Sequence, residues 1–319
     1  MSAPVVIAEV VRSGFVEGHH YGSVVALAAD GSVDWSVGDV TSPILPRSCN
    51  KPLQAVGMVD LGLDLPQDLL ALACASHSGE PMHVAGARRI LEGAGLGASA
   101  LQTPPDVPLD DLERDVWLRD GHGREPIAMN CSGKHAAMLA TCVLNGWDLS
   151  TYRDPAHPLQ VALADTFVAL TGEPVVATAV DGCGAPLFSA SLVGLARGFA
   201  AVATATEGSR RRVAEAIRAH PVMVSGTRRD ERALLTAIPG AIGKAGAESC
   251  YAVALPDGRA FALKTDDGGQ RARAVVMAAA LRRSGVDVEP EVDTEAVRAT
   301  GVHRLLGGGE PVGEVRAVL

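Results

Sequence analysis

Cys250-Tyr251-Ala252-Val253-Ala254-Leu255-Pro256-Asp257-Gly258-Arg259-Ala260-Phe261-Ala262-Leu263-Lys264 reads as two apolar strands, residues 250–255 and 260–264, around a Pro-Asp-Gly turn. Proline presets its φ, aspartate bonds its own backbone and glycine tolerates positive φ, so this run folds back as a hairpin. The start of the chain has the same character. Residues 5–11 and 23–28 are β-branched and apolar, and Asp30-Gly31 is a second turn signal before residues 33–37. Residues 312–318 add a last apolar stretch. Between these ends the apolar spacing becomes helical, over residues 52–61, 66–73, 80–91, 134–144, 157–170, 188–203 and 210–219. A further helix is predicted at 270–283, after the hairpin. Residues 102–125, rich in Pro, Asp and Gly, read as a long connection, and 175–180 as a buried strand. Strands at both ends with helices between predict an α+β chain, with an antiparallel or mixed sheet from both ends and a central helical lobe. No repeat or low-complexity linker divides residues 1–319, so one unit is expected, with no internal boundary drawn.

Apolar residues make up 47% and charged residues 20% of the 319, the balance of a soluble globular protein. Aromatics are 3%, so Ala, Val and Leu must build the core. The formal net charge of −9 argues against a nucleic-acid partner, which wants a basic face. The compact basic run Arg210-Arg211-Arg212 falls in a helical pattern and reads as a solvated face. Glu9 and Arg12 interrupt the first apolar run, so it does not read as a secretory signal, and no window reads as a membrane span. A cytoplasmic location is expected. Cys49, Cys74, Cys131, Cys142, Cys183 and Cys250 are scattered, with no CxxC pair to suggest a disulfide framework or a zinc ribbon.

The chemistry-bearing residues gather in five polar stretches. In Arg47-Ser48-Cys49-Asn50-Lys51-Pro52 a serine precedes a lysine by three positions, the spacing of neighbours on a helix face. Pro52 suits the first turn of a helix, which places Ser48 at its N-terminal end, where partial positive charge favours a developing anion. A serine becomes a nucleophile when a base removes its proton, and a lysine held neutral can serve. The others are Ala75-Ser76-His77-Ser78-Gly79-Glu80, Asn130-Cys131-Ser132-Gly133-Lys134-His135, Asp181-Gly182-Cys183-Gly184-Ala185-Pro186 and Lys264-Thr265-Asp266-Asp267-Gly268-Gly269. Each alone also fits a helix cap or a plain turn.

Taken in order, the strings RSxxKPxQ, ASHSGEP, NCSGKH, DGCGxP and KxxDG resemble the asparaginase II family, the rhizobial type of L-asparaginase, over nearly the whole chain. The resemblance implies the fold of the serine β-lactamases and penicillin-binding proteins. It also implies hydrolysis of L-asparagine to L-aspartate and ammonia. Ser48 would be the nucleophile and Lys51 its base, with Ser76 and Lys264 as a second pair. A zinc ion would be bound through Cys131, Lys134 and Cys183, with Asp181 and His135 beside it. Arg47, Glu80, Asp181 and His135 are the candidates for contacts to the substrate, and a homodimer is expected. All these positions are intact here.

Three other readings compete. A glutaminase or another amidase of the same fold differs by little, since one methylene discriminates by about 1–3 kcal/mol. A non-catalytic zinc or amino-acid binding protein has no use for Ser48, Lys51 and Lys264 together. A phosphate-binding protein would need a P-loop, which neither Gly307-Gly308-Gly309 nor Gly268-Gly269 supplies.

Overall fold

The computed structural model describes residues 4–319. The order begins β1 (Val5–Arg12), β2 (Phe15–Leu27), β3 (Val33–Val37), a 3-10 turn (Arg47–Asn50), α1 (Lys51–Asp60), α2 (Gln67–Ala73) and α3 (Pro81–Gly93). Next come α4 (Asp111–Arg119), α5 (Ser132–Asn145), α6 (Pro158–Thr171), β4 (Thr178–Val180), β5 (Pro186–Phe188), α7 (Leu192–Ala203) and α8 (Gly208–Ala219). The chain closes with α9 (Pro221–Val224), α10 (Asp230–Ala237), β6 (Ile242–Ala245), β7 (Cys250–Ala254), β8 (Ala260–Thr265), α11 (Gln270–Arg283), α12 (Thr294–Thr300), β9 (His303–Gly307) and β10 (Glu310–Ala317). These elements form two compact units. One comprises the described chain up to Cys49 with Ala190–Thr204 and Ala233–Leu319, and the other Asn50–Ser189 with Ala205–Arg232.

The first unit is built on an antiparallel sheet in the order β6-β7-β8-β2-β1-β10-β9, with β3 also on β2. The two chain ends share it, as the hydropathy pattern predicts. Ala8 lies opposite Ala317, and Ser23 opposite Lys264. Strands β7 and β8 are buried throughout except at Lys264, which is why they read as continuous rather than alternating apolar runs. Helices α7 and α11 pack on these strands. β2 is longer than the pattern predicts. Its first half alternates exposed and partly covered side chains, a weak hydropathy signal, and is held by pairing with β1. Ser13 (φ 49°) and Gly14 (φ 83°) make the two-residue turn between them, the left-handed pair that matches strand twist.

The second unit is mainly helical, with α1 against α6, α2 against α8, and α3 against α5. Gly133 lets α5 approach the end of α2, since a Cβ there would lie 2.6 Å from Leu72 Cγ and 2.7 Å from its carbonyl oxygen. The N-terminus of α5, which carries the NCSGKH string, is thereby held against the residues that lead into Ser76. Two expectations are corrected in this unit. The segment 102–125 contains α4, capped by the Asp110 carboxylate accepting from Leu112 and Glu113 N–H; none of its residues is buried, so no apolar stripe announced it. The strand expected at 175–180 is short and exposed, since β4 pairs only with β5 and Val176 and Val180 face out. Among the described residues no helix is long and apolar enough to cross a membrane.

Candidate active site

Lys51 opens α1, with Pro52 directly behind it, and its side chain is 1% exposed. Its amine reaches the Ala75 carbonyl at 2.5 Å, Ser76 Oγ at 2.9 Å and Cys131 Sγ at 3.0 Å. A carbonyl only accepts, so one N–H belongs to Ala75. The Cys131 sulfur, whose hydrogen goes to Asn130 Oδ1, accepts as well, and the Ser76 hydroxyl is the partner that can either accept from the amine or donate to it. That is the hydrogen-bonding arrangement a proton carrier needs.

Ser76 sits on a buried extended segment laced by backbone bonds. Ser76 N–H donates to Val224, His77 N–H to Asn130 and Ser78 N–H to Ser225. Side chains therefore alternate along it. The hydroxyl of Ser76 meets Lys51, while the His77 ring goes to Ser132 Oγ at 2.9 Å and stacks on His83. None of these serines is a helix cap. The helix after this segment is entered through Glu80 without a side-chain cap, and α5 through Cys131 likewise. The capping reading of the two strings thus fails, because the Ser76 and Ser132 hydroxyls meet side chains instead. Glu80, 7% exposed, accepts the Thr227 N–H at 2.8 Å.

His77 is fully buried, and burial first, then the nearby His83 and Lys51, push it well below its ordinary value of 6.5. Burial also lowers His83, against the Val222 carbonyl and the Glu80 and Glu113 carboxylates. In the unfolded chain both rings take up a proton near pH 6.5, whereas in the fold they stay neutral to lower pH. Stability is therefore full above that pH and lost as pH falls below it. The urea unfolding midpoint is expected to be level from pH 8 to 7 and to drop from pH 6.5 to 5, at up to about 1.4 kcal/mol per pH unit for each ring. A midpoint unchanged over that range would contradict this.

Cys131, Lys134, His135 and Cys183 converge in the same unit, and all are buried. Lys134 Nζ lies 3.1 Å from Cys183 Sγ. The Cys131 thiol donates to Asn130 Oδ1 at 3.1 Å, and its sulfur shares a buried cluster with Cys183. The neighbouring Cys183, then burial, pushes Cys131 well up, while Cys131, with Lys134 and His135, pulls Cys183 well down against its burial. Burial opposes the charge on Lys134, but the Cys183 sulfur, then Cys131 and Asp181, outweigh it and raise the amine above the ordinary lysine value. Asp181 lies 3.7 Å from Cys183 Sγ through its Oδ2. Two sulfurs and an amine are donors that zinc accepts, so the set fits that ion in chemistry, on condition that Lys134 gives up its proton. Among the described residues no three His, Cys, Asp or Glu side chains are placed to hold a metal.

Tyr152 was not singled out by the sequence and is fully buried beside this group, its hydroxyl 2.7 Å from His135 Nδ1. Burial pushes its phenol up to about 12. No local string marks it, because only the packing of the loop before α6 against α5 brings it there.

In the other unit, Ser48 lies in the 3-10 turn that runs straight into α1, and is 9% exposed. Arg47 before it has φ 52°, a left-handed conformation that costs a non-glycine residue energy. Glu248 and Ser249, between β6 and β7, share that conformation, at 55° and 51°. Arg47 and Glu248 approach to 3.5 Å, and the Lys264 amine donates to the carbonyls of Glu248 (3.0 Å) and Thr265 (3.1 Å). Three strained residues thus lie on the segments around Ser48 and Lys264. Positions 248 and 249 carry no glycine or asparagine to signal this in sequence.

Residues 8–317 match the family described as L-asparaginase II. Among solved structures, a β-lactamase from Mycobacterium bovis is similar at 15% identity, over 82% of this chain and 94% of that one, with a TM-score of 0.44. Mglu in its tris and glutamate form is similar at 15% identity, over 88% of this chain and 63% of that one, with a TM-score of 0.36. Mglu in its native form in 4.3 M NaCl gives 14% identity, 83% and 61%, and a TM-score of 0.37, so the chain spans about three-fifths of Mglu. No curated protein sequence matches the chain.

Proposed function

The chain belongs to the L-asparaginase II family, enzymes that act on amides, and from that premise we propose that it hydrolyses L-asparagine to L-aspartate and ammonia through an ester on Ser48. The buried Lys51 amine, bonded to a hydroxyl, a thiol and a carbonyl, is the observation that carries this reading. Ser48 Oγ attacks the side-chain amide carbon and its proton passes to Lys51. The C–N bond then breaks, and the departing nitrogen takes that proton through Ser76, the hydroxyl already bonded to the lysine. Water adds to the ester, the C–O bond to Ser48 breaks, and the serine regains its hydrogen. The strained backbone at Arg47 supports a functional role for the turn that presents Ser48, since such strain clusters at working sites. Lys264 adds fixed positive charge, and Arg47, Glu80 and Asp181 are the groups proposed to read the α-amino and α-carboxylate of the substrate.

We also propose a resident zinc ion held by Cys131, Cys183 and deprotonated Lys134. When bound it would supply a positive charge for a substrate carboxylate. Around it, His135 and Asp181 orient the ligands, and Ser48 keeps its own base.

The direct test is ammonia release by the purified protein from L-asparagine and, separately, L-glutamine. Asparagine is expected to be preferred by about 10- to 200-fold in kcat/KM, the range one methylene can discriminate. A preference for glutamine would make the protein a glutaminase of the same chemistry, and release from neither would remove the proposal.

A further inference from the structure

Gln102, Tyr152, His135 and Cys183 stand in series within the helical unit. The Gln102 backbone N–H, which can only donate, points to the Tyr152 hydroxyl at 3.3 Å. The phenol oxygen accepts there, and its own hydrogen remains for His135 Nδ1 at 2.7 Å. A neutral ring that accepts at Nδ1 carries its hydrogen on Nε2. That nitrogen is buried and has no partner in ordinary hydrogen-bond geometry, and the group whose charge it feels most is Cys183. The opposite tautomer would put a second donor on the phenol oxygen and leave the phenol hydrogen without a partner. The phenol end of the series therefore selects the tautomer.

We propose that Tyr152 is a positioning residue that fixes His135 as the Nε2–H tautomer, so that His135 offers an N–H to the field of the Cys183 sulfur and is not itself a metal ligand. A thiolate with an N–H dipole beside it keeps its charge more readily in a buried site, as outer partners of metal ligands commonly arrange. Zinc enters only through the preceding assignment of Cys183 as a ligand; the tautomer does not depend on it. The network assigns the hydrogen positions, and a spectrum can observe them directly.

Metal-free full-length protein labelled with 15N-histidine is examined by long-range 1H–15N correlation, with the His135 signals identified by their loss in His135→Gln. The expected wild-type pattern has Nε2 protonated and Nδ1 bare at neutral pH. In Tyr152→Phe, which keeps the ring and removes the hydroxyl, the pattern should shift toward Nδ1–H or a mixture. A wild-type ring protonated at Nδ1 overturns the proposal without any variant, and so does an unchanged tautomer in Tyr152→Phe. The second readout is zinc affinity, measured by competition with a chromophoric chelator. Tyr152→Phe should weaken zinc roughly 10-fold or more. Equal affinities would overturn the link from Tyr152 to Cys183. If neither protein takes up zinc, the zinc assignment falls, and the tautomer spectra still decide the present one.

Discussion

Ser48→Ala will lower ammonia release from L-asparagine by about three orders of magnitude or more, the scale seen when a covalent nucleophile is removed. The change deletes one oxygen from a turn residue that is 9% exposed, so the unfolding midpoint should stay close to wild type and the loss can be read as chemistry. The sharper question is which serine would carry the proposed ester. Lys51 lies 2.9 Å from Ser76 Oγ, so Ser76 is the rival nucleophile and not merely a bystander. Rapid acid quenching during turnover, followed by peptide mass analysis, separates the two. The aspartyl ester is expected on the peptide containing Ser48 and absent from that containing Ser76. Ser76→Ala should slow turnover while leaving the ester detectable, because it removes a proton path and not the attacking atom. Near-normal turnover in Ser48→Ala, or an ester on Ser76, would reassign the roles.

Lys51→Met is the second large effect. Methionine fills the volume of the lysine stem and removes the amine from Ala75, Ser76 and Cys131. The Ala75 carbonyl loses a buried donor, a cost of about 1–3 kcal/mol. Against this, a buried polar head no longer has to be desolvated, and exchanging such groups for well-packed apolar ones is often neutral. Stability should thus change little while turnover falls by about 10²–10⁴, the usual worth of a positioned acid–base group. Lys51→Arg separates charge from proton transfer. A guanidinium keeps a positive charge but does not release its proton, so turnover should stay lost. Activity in the arginine variant, measured beside an unchanged unfolding midpoint, would make Lys51 an electrostatic group and leave the base unassigned.

Much of the fold was legible because turns and hydrophobic periods are local. The helix predicted at 270–283 is α11 with the same ends, and the Pro-Asp-Gly turn does join β7 to β8. The misses have local causes too. α4 buries none of its residues, and the first half of β2 offers only a faint alternation, so neither carried an apolar pattern to read. At the site, the strings around Ser76 and Cys131 fall in buried segments of one unit and meet at Lys51. Their order along the chain gave no sign of which atoms would touch. Tyr152 and the left-handed Glu248 and Ser249 belong to no string at all.

Residue order alone was enough to set strands at the ends, helices between them and the strings that carry serine, lysine and cysteine, since these depend on neighbours a few positions apart. Long-range packing had to settle the pairing of β1 with β10, the hydroxyl that the Lys51 amine meets, and the tyrosine behind His135. Those contacts join residues from 17 to more than 300 positions apart, and their geometry exists only once the chain has packed around them.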